Sequence, residues 1–177
     1  TLAREFGFET AVVPRQAKQL SREAYDQRLV ETIAPAAPDL IVLAGFMRVI
    51  GHEFIQHFNG NVINIHPSLL PKYQGLHVHQ RVLDAGESES GCSVHYVSAE
   101  VDAGPLIAQA AVPVLGGDTA DTLAARILET EHKLLPLVVR AIAAGTVSRS
   151  YLDGVDRTIF ADGVEQLIPV KWICRPG

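Results

Sequence analysis

The stretch DLIVLAGFMRVIGHEFIQHFNGNVINIHPSLLPKYQGLHVHQ, residues 39–80, decides how this chain folds. Asp39 to Gly45 is a short, continuous apolar run rich in β-branched residues between turn signals. That pattern predicts a parallel strand buried on both faces, placed centrally in a sheet. Gly51 to Phe58 reads as a short helix, and Asn61 to Ile65 as a second buried strand running straight into His66 and Pro67. From Pro67 to Leu76 two prolines and a glycine break any regular element, yet the segment stays apolar, so an ordered loop is expected. His77 to Ala85 reads as a helix that closes on Gly86.

Upstream, LAREFGF reads as the tail of a helix, and the chain starts at Thr1 without a methionine. Glu9 to Val13 alternates weakly and stops at Pro14, which predicts a short strand. Ser21 to Ala34 predicts a helix with Ser21 as its cap, ended by Pro35 and Pro38. Downstream, Gly91 to Val97 and Pro105 to Val114 read as two strands joined by a turn at Asp102, Ala103 and Gly104. A long helix is expected from about Thr119 to Ala144, kinked at Pro136 and ended by Gly145. Asp153-Gly154 marks a peripheral hairpin. No repeat or linker divides residues 1–177, so the architecture is one α/β domain, a mostly parallel sheet flanked by helices with a C-terminal β-hairpin.

Composition removes several function classes. With 47% hydrophobic residues among 177, the chain can bury a core, and disorder is excluded. The net charge of −5 argues against a nucleic-acid groove, which needs clustered Lys and Arg. A local anion site stays compatible with it. Cys92 and Cys174 have no CxxC spacing, so neither a disulfide framework nor a thiolate zinc site is suggested, and a reducing cytosol is the default. The apolar runs are far shorter than the roughly 20 residues that span a bilayer, and no signal peptide is read.

The chemistry concentrates in NVINIHPSLLPKYQGLHVHQ, residues 61–80. Ligands bind where carboxyl ends of parallel strands meet helix amino ends. Asn64 and His66, two apart at such an end, would point the same way. His supplies a proton-transfer group near neutrality and Asn an uncharged donor for an oxyanion, a combination suited to acyl transfer. The plainer alternative is that Asn64 caps a turn and His66 is a satisfied structural residue. His66, His77, His79, His95 and Cys92 also invite a metal reading, but His77 and His79 fall at a helix start where residues two apart diverge. Asp102 is either an Asx cap or a carboxylate that orients a histidine.

Taken together, AGFMRVI (44–50), NIHPSLLPKYQGLHVHQ (64–80), GCSVHYV (91–97), E-V-DAGPLIAQ (100–109) and ETEHKLLP (129–136) resemble the glycinamide ribonucleotide formyltransferases of purine biosynthesis. Asn-x-His with a distant Asp-x-Gly-Pro is the signature of formyl transferases that use 10-formyltetrahydrofolate. The resemblance implies a Rossmann-type strand order, with Asn64, His66 and Asp102 as the catalytic set. It implies that Arg22, Met47, Arg48, Val49, Ile50 and the loop from Val97 to Asp102 line a folate pocket, and that Glu131 holds the substrate ribose. The implied co-substrate is 10-formyltetrahydrofolate, with no metal. The implied partners are folate and glycinamide ribonucleotide, with no nucleic acid and no membrane; a homodimer is compatible, and the location is cytoplasmic. The family's Gly-rich G-x-G-S-N phosphate loop does not occur in residues 1–177, so the N-terminal strand–helix–strand unit is read as absent from them. Gly116-Gly117-Asp118 reads as a helix-start turn and not as its substitute. Three further readings stand beside transfer to glycinamide ribonucleotide. Transfer to methionyl-tRNA lacks a basic RNA-binding domain here, formyltetrahydrofolate hydrolysis resembles I-N-x-H-H-S-F-L-P where this chain has His66-Pro67-Ser68, and a folate-binding homologue would lack transferase activity.

Overall fold

The computed structural model describes residues 2–14 and 20–161. In chain order they form α1 (Leu2–Glu5), α2 (Arg22–Ile33), a 3-10 turn (Ala34–Ala36), β1 (Ile41–Leu43), α3 (His52–His57), β2 (Val62–His66), α4 (Val78–Asp84), β3 (Glu89–Tyr96), β4 (Leu106–Pro113), α5 (Ala120–Ala143), β5 (Val147–Leu152) and β6 (Val155–Phe160). The helix caps follow the sequence. Ser21 Oγ accepts from Ala24 N at 3.2 Å, and Thr119 and Thr122 form a reciprocal capping box at the start of α5. Helix α5 runs through Pro136 without a break in its helical span. Asp153 and Gly154, both with positive φ, make the expected tight turn between β5 and β6. Cys174 lies outside the described residues.

β1 to β4 form one sheet in sequential order, with β1–β2 parallel and β2–β3 and β3–β4 antiparallel. The α/β class and the C-terminal hairpin stand as expected, but this sheet is mixed where a mostly parallel one was expected, and its order is sequential. The cause is local: residues 97–105 are too short a link for the crossover that parallel pairing requires, so β3 and β4 return antiparallel. β1 is the outer strand of the described sheet, and Val42 is 38% exposed. Among the described residues β1 pairs on one side only, with β2. Residues 9–14 carry no strand, since no described strand lies beside them to complete a ladder.

Successive residues of β2 point to opposite faces and join different cores. Ile63 packs with Val94, Tyr96, Leu123, Ile127, Leu134 and Val138 under α5, whereas Val62 packs with Ile41, Ile50, Phe54 and Phe58 against α3. Helix α2 fastens the segment after β1 in two ways. The Arg48 guanidinium lies 3.8 Å from the centre of the Tyr25 ring, and the buried Asp26 carboxylate accepts from Gly51 N at 2.7 Å. The hairpin is tied to the sheet by Arg149, which pairs with Asp156 and donates to Gly60 O at 2.6 Å and Val97 O at 3.2 Å.

On the face away from α5, β3 meets the loop that follows β2. A Cβ at Gly91 would run into the Ala110 carbonyl of β4 and the Leu69 side chain of that loop. A backbone atom cannot step aside, so Gly91→Ala is expected to lower the unfolding free energy by about 2 kcal/mol, within the usual range for overpacking. Urea denaturation monitored by circular dichroism checks this, and an unchanged midpoint contradicts it.

Candidate active site

The face of β2 that carries Asn64 and His66 continues across the sheet. Asn64 is in register with His95 of β3, and His66 with Ser93, which is itself in register with Gln109 of β4. Asn64 Nδ2 lies 3.3 Å from His95 Nε2, while His95 Nδ1 lies 2.9 Å from Tyr96 O. His95 Nδ1 thus faces the Tyr96 carbonyl, and its Nε2 faces the Asn64 amide on the cleft side. Asn64 therefore does not cap a turn.

Asp102 enters from the β3–β4 turn with φ at +52°. Its Oδ2 lies 3.3 Å from His66 Nδ1 and accepts from Gly75 N at 2.9 Å, and its Oδ1 lies 3.6 Å from His95 Nε2. The carboxylate thus reaches across to another loop and to His66. His66 and His95 are 6% and 2% exposed, so these contacts are shielded from solvent. Tyr73, His77 and Asp102, all around this site, hold positive φ without being glycine. Backbone strain of that kind concentrates where surrounding structure fixes a functional geometry.

Burial raises the Asp102 carboxyl, but hydrogen bonds from His95 and Gly75 and the nearby His66 outweigh it, so Asp102 is held below its ordinary value and stays anionic. At His66 burial is the largest influence and lowers its titration, against the Tyr73 carbonyl and Asp102, which raise it. His66 Nε2 is 3.0 Å from Tyr73 O, so both ring nitrogens face acceptors. The ring rests neutral, and each proton of an imidazolium already has a place to go.

These groups form the floor of a cleft of about 410 Å³. Met47, Arg48, Val49, Ile50 and Val97 line it, with Leu43, Leu76 and Val101 adding apolar wall. Met47 and Leu76 are 76% and 64% exposed, an apolar lip at the mouth. A cleft of this size, mostly apolar with a few converging polar groups, suits a small molecule. Arg22 is not on this cleft. It lines a neighbouring polar groove of about 320 Å³ with Asp26, Gly51 and His52. Glu131 is not on the cleft either: it is half-buried on α5, its carboxyl is raised by burial, and its charge adds to the burial that pushes the Cys92 thiol up to about 12. Among the described residues no group of three or more His, Cys, Asp or Glu is arranged to hold a metal ion, and no helix is long and apolar enough to cross a membrane. The role of His95 beside Asn64 was missed from the sequence, although Ser93 and His95, two apart in an apolar strand, signalled a polar face.

A family profile described as formyl transferase matches residues 2–139. The phosphoribosylglycinamide formyltransferase of Escherichia coli is 47% identical over 156 residues, covering 86% of this chain and 73% of that protein. The trifunctional purine biosynthetic protein adenosine-3 of Drosophila melanogaster is 51% identical over 126 residues, 71% of this chain and 9% of that much longer protein. The crystal structure of glycinamide ribonucleotide transformylase 1 from Symbiobacterium toebii superposes with a TM-score of 0.82 at 40% identity, covering 90% of this chain and 73% of that one.

The neutral resting state of His66 has a signature in stability. Between its lowered folded value and the ordinary 6.5, the unfolded chain binds more protons than the folded one, so stability rises with pH. The contribution is present above 6.5 and lost as the pH falls through the folded value. Thermal melts from pH 7 down to pH 5 should show a steeper loss for the wild type than for His66→Asn; parallel curves would contradict the assignment.

Proposed function

The chain belongs to the formyl transferase family, and from that premise we propose that it moves the formyl group of 10-formyltetrahydrofolate to the amino group of glycinamide ribonucleotide in purine biosynthesis. The observation that carries this reading is the convergence of Asn64, His66 and Asp102 on the floor of one apolar-lipped cleft whose wall is Met47 to Ile50.

The folate nitrogen that carries the formyl group is a poor leaving group, so transfer needs an oxyanion held at the tetrahedral stage and a proton moved from the attacking amine to the departing nitrogen. The Asn64 amide supplies an uncharged donor. Neutral His66 carries one proton, which anionic Asp102 holds on Nδ1, so the Nε2 lone pair turns from the Tyr73 carbonyl and takes the proton of the attacking amine. The imidazolium so formed, its charge stabilised by Asp102, donates Nε2–H to the developing oxygen and delivers that proton to the departing folate nitrogen. The anionic Asp102 also orders a water that relays the proton.

The wall of Met47, Arg48, Val49, Ile50 and Val97 takes the folate ring system. Arg22, across Gly51 from that wall, takes an anionic tail leaving the cleft along the polar groove. Glu131 is assigned to the ribose hydroxyls of the ribonucleotide. Residues 1–177 are read as belonging to a single formyltransferase domain of a cytoplasmic enzyme. Hydrolysis of the formyl folate is not favoured, because His66-Pro67-Ser68 stands where the hydrolase pattern has a second histidine.

Steady-state formyl transfer tests the assignment. His66→Ala and Asp102→Ala should each lower turnover by at least about 100-fold with the circular dichroism spectrum unchanged, as expected for loss of positioned proton transfer. Near-normal turnover in either variant removes that residue from the mechanism.

A further inference from the structure

Behind His66, on the side away from the cleft, lies a group of buried polar side chains for which the chemistry above has no use. Ser68 and Ser93 are 0% exposed and Gln109 is 3% exposed. They do not face the apolar core under α5. Ser93 of β3 and Gln109 of β4 lie in the cross-strand row of His66 on β2, and Ser68 lies in the loop that follows β2.

Their hydrogen bonds close on one another and on the loop after β2. The Gln109 Nε2 amide donates to Ser93 Oγ at 2.6 Å and to Leu70 O at 2.9 Å, which uses both of its protons. Ser93 Oγ donates to Ser68 O at 2.6 Å and accepts from Leu70 N at 3.0 Å as well as from Gln109, so its one proton and two lone pairs are all engaged. Ser68 Oγ donates to Lys72 O at 2.6 Å. The main chain at residues 68 and 70 is therefore fixed from beneath by Ser93 and Gln109 of the sheet, and Ser68 ties it on to Lys72 within the loop.

The next residues of that loop supply the two main-chain groups that touch the reacting pair. Tyr73 O faces His66 Nε2, and Gly75 N donates to Asp102 Oδ2. We propose that Gln109, acting through Ser93, is a positioning residue for the His66–Asp102 pair. It sets the loop that places the Tyr73 carbonyl and the Gly75 amide, and so sets both the orientation and the protonation of His66 without touching substrate. In rate terms the inference depends on the formyl-transfer reading; in its effect on His66 it does not.

Unpinning the loop has a defined direction. The groups that act on His66 are Asp102, His95 and Arg81, with His79 beside it; those that act on Asp102 are His66 and His95. None of these side chains changes in a Gln109 variant. What is lost is the Tyr73 carbonyl, which raises His66, so the His66 titration moves further down.

The test compares Gln109→Met, which keeps volume and removes both donors, and Ser93→Ala with Leu134→Ala, a core truncation under α5 that loses stability without touching the loop. In the full chain, NMR titration of His66 without ligand should show a lower midpoint in Gln109→Met and Ser93→Ala and an unchanged one in Leu134→Ala. Formyl-transfer kcat should fall about 10- to 100-fold in the first two while KM for the formyl folate stays within about twofold, since a misplaced catalytic group costs turnover more than binding. If Gln109→Met does not fold, Ser93→Ala, which removes the hydroxyl through which Gln109 acts, gives the same reading. A wild-type His66 midpoint in the folded loop variants, or an equal shift in Leu134→Ala, overturns the proposal. Absence of transfer in the wild type would sink the formyl-transfer reading and leave the titration to decide this one.

Discussion

One carboxylate ties three pieces of chain to a single point. Asp102 stands in the β3–β4 turn, reaches His66 at the end of β2 and His95 within β3, and accepts the main-chain amide of Gly75 from the intervening loop. These contacts are largely shielded, so the charge is met chiefly by these partners. The histidines, the loop and the turn therefore hold their places together, and the turn keeps a left-handed aspartate because its carboxylate is fixed at the other end. Any chemistry at this site depends on that carboxylate remaining ionised and in place.

The fold divides the labour around it. The α5 face of the sheet is apolar, and the opposite face carries the polar rows Asn64–His95 and His66–Ser93–Gln109. Helix α2, anchored through Asp26 to Gly51 and through Tyr25 to Arg48, holds the wall of the cleft from one side. The buried lattice of Ser68, Ser93 and Gln109 holds the loop from the other. The cleft lies between two walls that are held by different contacts.

Much of this was legible in the residues. The helix from Arg22 to Ile33, the helix from Ala120 to Ala143 and the Asp153-Gly154 hairpin follow from caps, periodicity and turn chemistry. Asn64 and His66 were legible because period two at a strand end puts both on one face, and Asp102 because an acidic residue before Ala-Gly-Pro marks a tight polar turn. The mixed pairing of the sheet was not, because an apolar run does not report pairing direction: β3 and β4 return across a short link, while β2 and β3 pair antiparallel across a link that contains α4. Nor was the route from Gln109 to His66, since its members are spread over three strands and meet only through register. Arg22 and Glu131 carry family resemblance, but they stand off the main cleft, so their assignment rests on likeness more than on placement.

The central claim is that the His66–Asp102 cleft directs a formyl group to an amine. A single-turnover reaction of the full chain with glycinamide ribonucleotide and 10-formyltetrahydrofolate carrying a ¹³C-labelled formyl group, followed by ¹³C NMR, tests it most directly. The account predicts that the label leaves the folate and appears as a formamide on the amino group of the ribonucleotide. Label released as free formate, or label that stays on the folate, would contradict it.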